Sequence, residues 1–156
     1  MKIKLLLTGK TTSENIKQIE ADYEKRINRY LAFESVIIDN SAIKNLPENA
    51  IKQKEGELIL KRLNAGDHLI LLDERGKAYT SVQFANELNN WMGSSKKTVV
   101  LAVGGAYGFS DEVKQRANGS ISLSNMTFSH QIIRVIILEQ LYRAFTILNN
   151  EPYHHA

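Results

Sequence analysis

The chain contains no cysteine among its 156 residues, which excludes disulfides and thiolate metal sites and fits a reducing compartment. No apolar run approaches the roughly 18 residues of a membrane span. The one imitation of a leader, Leu5-Leu6-Leu7 behind Lys2 and Lys4, stops at Thr8-Gly9, short of the roughly seven or more apolar residues of a signal-peptide core. Nor does one sign of charge dominate: 20 Lys and Arg stand against 17 Asp and Glu, a net of +3, so bulk charge does not mark nucleic acid. Repeats, low-complexity tracts and linkers are missing as well, and only 39–47 reads as a loose connection. The expectation is a soluble cytoplasmic protein in which residues 1–156 form a single domain large enough to bury a core.

What is present is an alternation of short apolar runs with helix-period segments, the pattern of a mostly parallel sheet covered by helices on both faces. Five strands are expected at Lys2–Thr8, Phe33–Asp39, His68–Asp73, Thr98–Val103 and Ser120–Leu123. Ile16, Ile19, Tyr23, Ile27 and Tyr30 recur at helical spacing behind a capping Ser13. Pro47-Glu48 opens a second helix running to about Leu63, with proline and an acid suited to a first turn. A third covers Ser81–Met92 with Phe84, Leu88 and Trp91 or Met92 inward, and Ser110-Asp111-Glu112 starts a fourth. The fifth, from about Ser129 to Asn149, is apolar around its whole circumference. A single sheet face cannot bury such a helix, so a second copy of the chain is the expected cover, giving a homodimer. The positive excess lies in residues 1–31, seven cations against four anions. There Lys17, Lys25, Arg26 and Arg29 form either a phosphate-facing patch or an ordinary solvated helix face.

Val103-Gly104-Gly105-Ala106-Tyr107-Gly108 lies between a strand and a capped helix, so its backbone can approach a ligand closely, or it is simply a tight turn. A dinucleotide fingerprint fails, because Val103 stands where glycine is needed and no Asp or Glu occurs between Val113 and Leu138. A Walker loop fails for want of its Gly-Lys-Ser/Thr ending. Two other strand ends, Leu71-Leu72-Asp73-Glu74-Arg75-Gly76 and Leu123-Ser124-Asn125-Met126-Thr127-Phe128, would converge with the glycine loop at one sheet edge if their strands are neighbours. Taken singly, Asp73–Gly76 reads as a solvated turn, Met126 and Phe128 as core, and Ser129 as the cap of the last helix. The histidines, His68, His130, His154 and His155, are badly spaced for a metal, and none is assigned.

The order of these segments, from Leu101-Ala-Val-Gly-Gly-Ala-Tyr-Gly through Ser122–Gln131 and Ile132–Phe145 to Asn150-Glu-Pro-Tyr-His-His, closely resembles the bacterial large-subunit rRNA pseudouridine N3-methyltransferases of the SPOUT, or α/β-knot, superfamily. The resemblance spans nearly the whole chain. It implies a C-terminal trefoil knot, which pattern reasoning alone would not propose because threaded chains are so rare. It also implies S-adenosylmethionine as cofactor, with contacts falling on Leu72, Gly104, Gly105, Leu123, Ser124, Asn125, Met126, Thr127 and Phe128. The implied substrate is 23S rRNA in the ribosome, at N3 of the pseudouridine of helix 69 known as position 1915. The tail matches at Pro152, Tyr153 and His154 and departs at Glu151, where the family has His, and at His155, where it has Lys or Arg.

Methyl transfer from a sulfonium asks for little covalent work: the protein holds the donor methyl near N3 and helps N3 lose its proton. His154, Tyr153, Arg134 and His130 are the candidate catalytic groups. Arg134 has an alternative as a helix-start or interface residue, and His130 as a support of the cofactor loop. A lone tail histidine, taken without the family pattern, is more often idle in solvent. The rival readings are a catalytically inactive ribosome-binding module and an α/β enzyme that uses another nucleotide.

Overall fold

The computed structural model describes residues 1–155. Five strands, β1 (Lys2–Thr8), β2 (Ala32–Ile38), β3 (His68–Ala78), β4 (Thr98–Val103) and β5 (Gly119–Ser122), form one sheet in the order β2-β1-β4-β3-β5. Every neighbouring pair is parallel. Five helices complete the chain: α1 (Glu14–Ile27), α2 (Glu48–Lys61), α3 (Ser81–Met92), α4 (Asp111–Arg116) and α5 (Ile132–Leu148). The loose connection expected at 39–47 holds a single 3₁₀ turn, Ser41–Ile43.

Side chains alternate across each strand, so the apolar runs of β1, β3 and β4 feed two cores at once. Ile3, Leu5 and Leu7, with Val99, Leu101 and Val103, meet α1, α3 and α5 through Ile27, Leu88, Trp91, Ile137 and Leu141. Leu6, Leu69, Leu71, Val100 and Ala102 face the other way, onto Ile59 of α2 and Val113 of α4. The expected layering, helices on both faces of a five-stranded sheet, is therefore observed.

The helix starts follow from local chemistry. Ser13 accepts from the Ile16 amide and Ser110 from the Val113 amide, each at 3.4 Å, and Thr80 with Gln83 forms a reciprocal capping box. Ser129 accepts from the Ile132 amide at 3.2 Å, although α5 itself begins at Ile132 rather than near Ser129.

One difference matters for function. The exposed turn expected at Asp73–Gly76 is there, with Glu74 and Arg75 in solvent and the Arg75 amide donating to Asp73 at 2.9 Å, but it interrupts β3 rather than ending it: β3 continues to Ala78, and Ile121 of β5 pairs with both Leu72 and Lys77. A Cβ on Gly76 would lie 2.6 Å from the Ile121 amide nitrogen, so only glycine permits this crossing.

Candidate active site

With β4, β3 and β5 adjacent, their carboxyl ends deliver three loops to one place, the usual crevice of a parallel α/β sheet. They surround a cavity of about 600 Å³. Its walls come from Leu72–Arg75, from Val103–Phe109 and from the segment between Leu123 and His130. Of the nine residues expected to hold cofactor, Leu72, Gly104, Gly105, Leu123, Ser124, Met126, Thr127 and Phe128 line this cavity. Asn125 does not.

Each loop is braced. Gly108, at φ +79°, closes a tight turn in which its amide donates to the Gly105 carbonyl at 3.2 Å, so Ala106 and Tyr107 sit at the tip. Below Gly104 lies the ring of Phe109, which a Cβ would meet at 3.2 Å. Below Gly105 lies the carboxylate of Glu55, a residue buried in the middle of α2. Its Oε1 accepts from Asn40 at 3.0 Å while Oε2 has no hydrogen-bond partner, and burial pushes its pKa up against the opposing pull of Asn40 and His130. In the third loop Ser124 Oγ accepts from the Met126 amide at 2.9 Å, and the Thr127 hydroxyl donates to Glu74 at 2.9 Å, tying the loop to β3.

Met126 and Phe128, expected in the core, are 74% and 38% exposed. Short-range hydrophobicity could not distinguish core from cavity wall, and here the loop holds these side chains over the opening rather than under the sheet. An exposed apolar side chain beside a cavity is a binding surface in waiting.

The four candidate catalytic residues are not brought together within one chain. His130 lines the cavity. Arg134 is fully buried and faces the β1–α1 loop: its Nη2 donates to the Thr8 and Gly9 carbonyls at 2.9 and 2.8 Å, its Nη1 to Thr11 at 2.9 Å, and its Nε to the His130 carbonyl at 3.0 Å. Thr11 in turn donates to Glu20 at 2.9 Å, so an acid compensates the buried cation through one hydroxyl. Burial draws the guanidinium below its ordinary pKa, and Glu20 opposes that.

Tyr153 and His154 dock on the flank of α5, among residues outside the cavity lining. Tyr153 donates to Glu139 at 3.1 Å and packs edge-on to Tyr142 at 4.8 Å, with its phenol pKa raised mainly by burial. Arg143 pairs with Glu139 and reaches Nδ1 of His154 at 3.3 Å. A guanidinium only donates, so Nδ1 is the acceptor in this contact. A lone tail histidine, taken without the family pattern, reads as idle in solvent; here the tail is fastened to α5 by this cluster.

Glu55, Asn40, Glu139 and Arg143 are the site residues that the sequence did not single out. For Glu139 and Arg143 a signal existed in their i,i+4 spacing. Glu55 sits among Lys52, Gln53, Lys54 and Glu57 and carries none. Among the described residues no group of His, Asp and Glu is placed to hold a metal ion, and no helix is long and apolar enough to cross a membrane.

A family model described as "Predicted SPOUT methyltransferase" matches residues 1–154. The chain is 52% identical to a protein of Flavobacterium psychrophilum and 53% identical to proteins of Flavobacterium johnsoniae and Parabacteroides distasonis. Each alignment runs over 156 residues and covers 99% of both sequences. All three relatives bear the name ribosomal RNA large subunit methyltransferase H.

Proposed function

Because the chain belongs to the SPOUT methyltransferase family, we propose that it methylates N3 of a pseudouridine in 23S rRNA, at position 1915 of helix 69, with S-adenosylmethionine as donor, and that it does so as a homodimer in the cytoplasm. The observation that carries this reading is the convergence of the β4, β3 and β5 loops on one cavity in a chain whose full-length relatives are named rRNA methyltransferases.

The cavity suits that donor by chemistry and size. It lies within the roughly 300–1,000 Å³ typical of cofactor sites and combines apolar side chains with loop amides and carboxylates. Leu72, Leu123 and Phe128 offer surface for a purine, the Gly104-Gly105 backbone allows close approach, and Asp73 or Glu74 can accept from ribose hydroxyls. When bound, the donor supplies an electrophilic methyl group on sulfur. The protein's own share is positioning and proton handling. His130, on the cavity wall, is the group within one chain that faces the reacting centre, while Arg134 holds its carbonyl in place. Tyr153 and His154 lie off the cavity, so they reach a reacting base only in a site completed by a second copy. Burial keeps Tyr153 a neutral phenol, able to donate, and with His154 Nδ1 held by Arg143 it is Nε2 that would meet the base. The trefoil knot is part of what membership of the family implies. In this reading residues 1–156 act as one catalytic domain.

Purified protein, ribosomes lacking the modification and methyl-labelled donor test the reading: N3-methylpseudouridine in 23S rRNA is expected. Equal methylation of ribosomes carrying unmodified uridine at the target defeats the substrate assignment. Donor binding with no transfer to any ribosome favours the inactive binding module. Light scattering is expected to give twice the 17.7 kDa chain mass.

A further inference from the structure

The cavity mouth is not uniform in charge or in apolar character. Its β3 wall carries Asp73, Glu74 and Arg75, with Glu74 accepting from Thr127, and Lys52 of α2 and Lys114 of α4 also reach it. Neither lysine has an acidic partner among the described residues. What brings these two helices together is Gly56, one turn beyond Lys52: a Cβ there would lie 2.2 Å from Ser110 Oγ and 3.3 Å from Val113, the neighbour of Lys114. The fold therefore spends a glycine to set two free cations on one rim. On the lining of the same cavity the Gly105–Gly108 turn holds up Tyr107, 44% exposed and in no aromatic pair among the described residues.

We propose that Tyr107, Lys52 and Lys114 form the docking rim for the substrate strand, a single-stranded RNA segment that stacks one unpaired base on Tyr107 and lays its phosphates across the two lysines. An exposed aromatic with flanking cations is the combination that unpaired RNA needs, since bases are held by stacking and the backbone by Lys and Arg. This rests on the rRNA reading above and adds the surface it uses. It assigns no role to these three residues in holding the donor or in moving a proton.

Binding to ribosomes lacking the modification, followed by cosedimentation over a range of salt, tests the rim separately from catalysis, and calorimetry with S-adenosylmethionine tests the pocket. Tyr107→Ala is expected to weaken ribosome binding about tenfold, with Tyr107→Phe restoring it because the phenyl face suffices. Lys52→Ala with Lys114→Ala is expected to lower the slope of log affinity against log salt by about 1.4, two phosphate contacts on a single strand. KM for ribosomes is expected to rise in each variant by more than donor affinity falls, because all three residues also border the donor cavity. Unaltered ribosome affinity and salt slope in both variants overturn the rim, as does a loss of donor affinity as large as or larger than the loss of ribosome affinity, which would return these residues to the cofactor pocket. If the wild type binds ribosomes but never methylates them, the enzymatic reading fails while the rim stands or falls on its own binding data.

Discussion

Arg134 reaches back 125 positions along the chain to donate from Nη2 to the carbonyl of Gly9 at 2.8 Å. Together with its bonds to Thr8, Thr11 and His130, this one side chain joins the end of β1, the start of α1 and the start of α5. Arg134→Ala removes four hydrogen bonds, leaves buried carbonyls without a partner and opens a void. The expected loss is about 3 kcal/mol or more of folding stability, read from denaturant midpoints. Arg134→Lys is expected to recover little, since an ammonium cannot replace a planar fork. A lysine variant with wild-type stability but no turnover would instead place Arg134 at the reacting centre.

Gly105 has a steric reason that involves no ligand. A Cβ there would lie 2.4 Å from Glu55 Oε2, so Gly105→Ala must push either the loop or the buried carboxylate. We expect a loss of about 1–3 kcal/mol together with weakened donor binding. Combining it with Glu55→Ala, which removes the obstructing atoms, should cost less than the two single changes summed. Simple additivity in chemical denaturation would show that the two residues do not press on each other.

Glu55 also predicts a pH dependence. Its folded pKa is raised by burial above the ordinary 4.5, so the protonated form is the one the fold favours. That contribution is complete below pH 4.5 and is lost as pH rises through the folded pKa. Glu55→Gln does not titrate and can still accept from Asn40. Its stability relative to wild type is expected to increase from pH 4.5 upward and then level off. Thermal melts over a pH series check this, and a relative stability flat with pH would contradict it.

The tail makes a separable prediction. Tyr153 and His154 are held by Glu139, Tyr142 and Arg143, outside the cavity lining. Deleting residues 153–156 is expected to lower the melting temperature modestly, because an edge-on aromatic pair is worth roughly 0.5–1.5 kcal/mol, while leaving donor affinity unchanged and abolishing turnover. Glu139→Gln should lower turnover less, since its amide oxygen still accepts from Tyr153. A truncated protein that methylates ribosomes at the normal rate would move proton handling to His130.

Much of the architecture was legible in the chain because its causes are local. Continuous apolar runs at 5–7 and 99–103 require strands buried on both faces, Ser13 and Ser110 cap the helices that follow them, and the glycines at 104 and 105 mark a strand end whose backbone lines the cavity. The order of the segments also carried the family. Only the tertiary structure decided which apolar residues become cavity wall, as with Met126 and Phe128, because hydrophobicity records an aversion to water and not what provides the cover. It alone buried Arg134 and Glu55, whose neighbours lie on other elements, and it alone set the tail against α5. The strand order β4-β3-β5 makes the site, by bringing loops some 20–50 residues apart in sequence to one edge, and no periodicity within a segment encodes that adjacency.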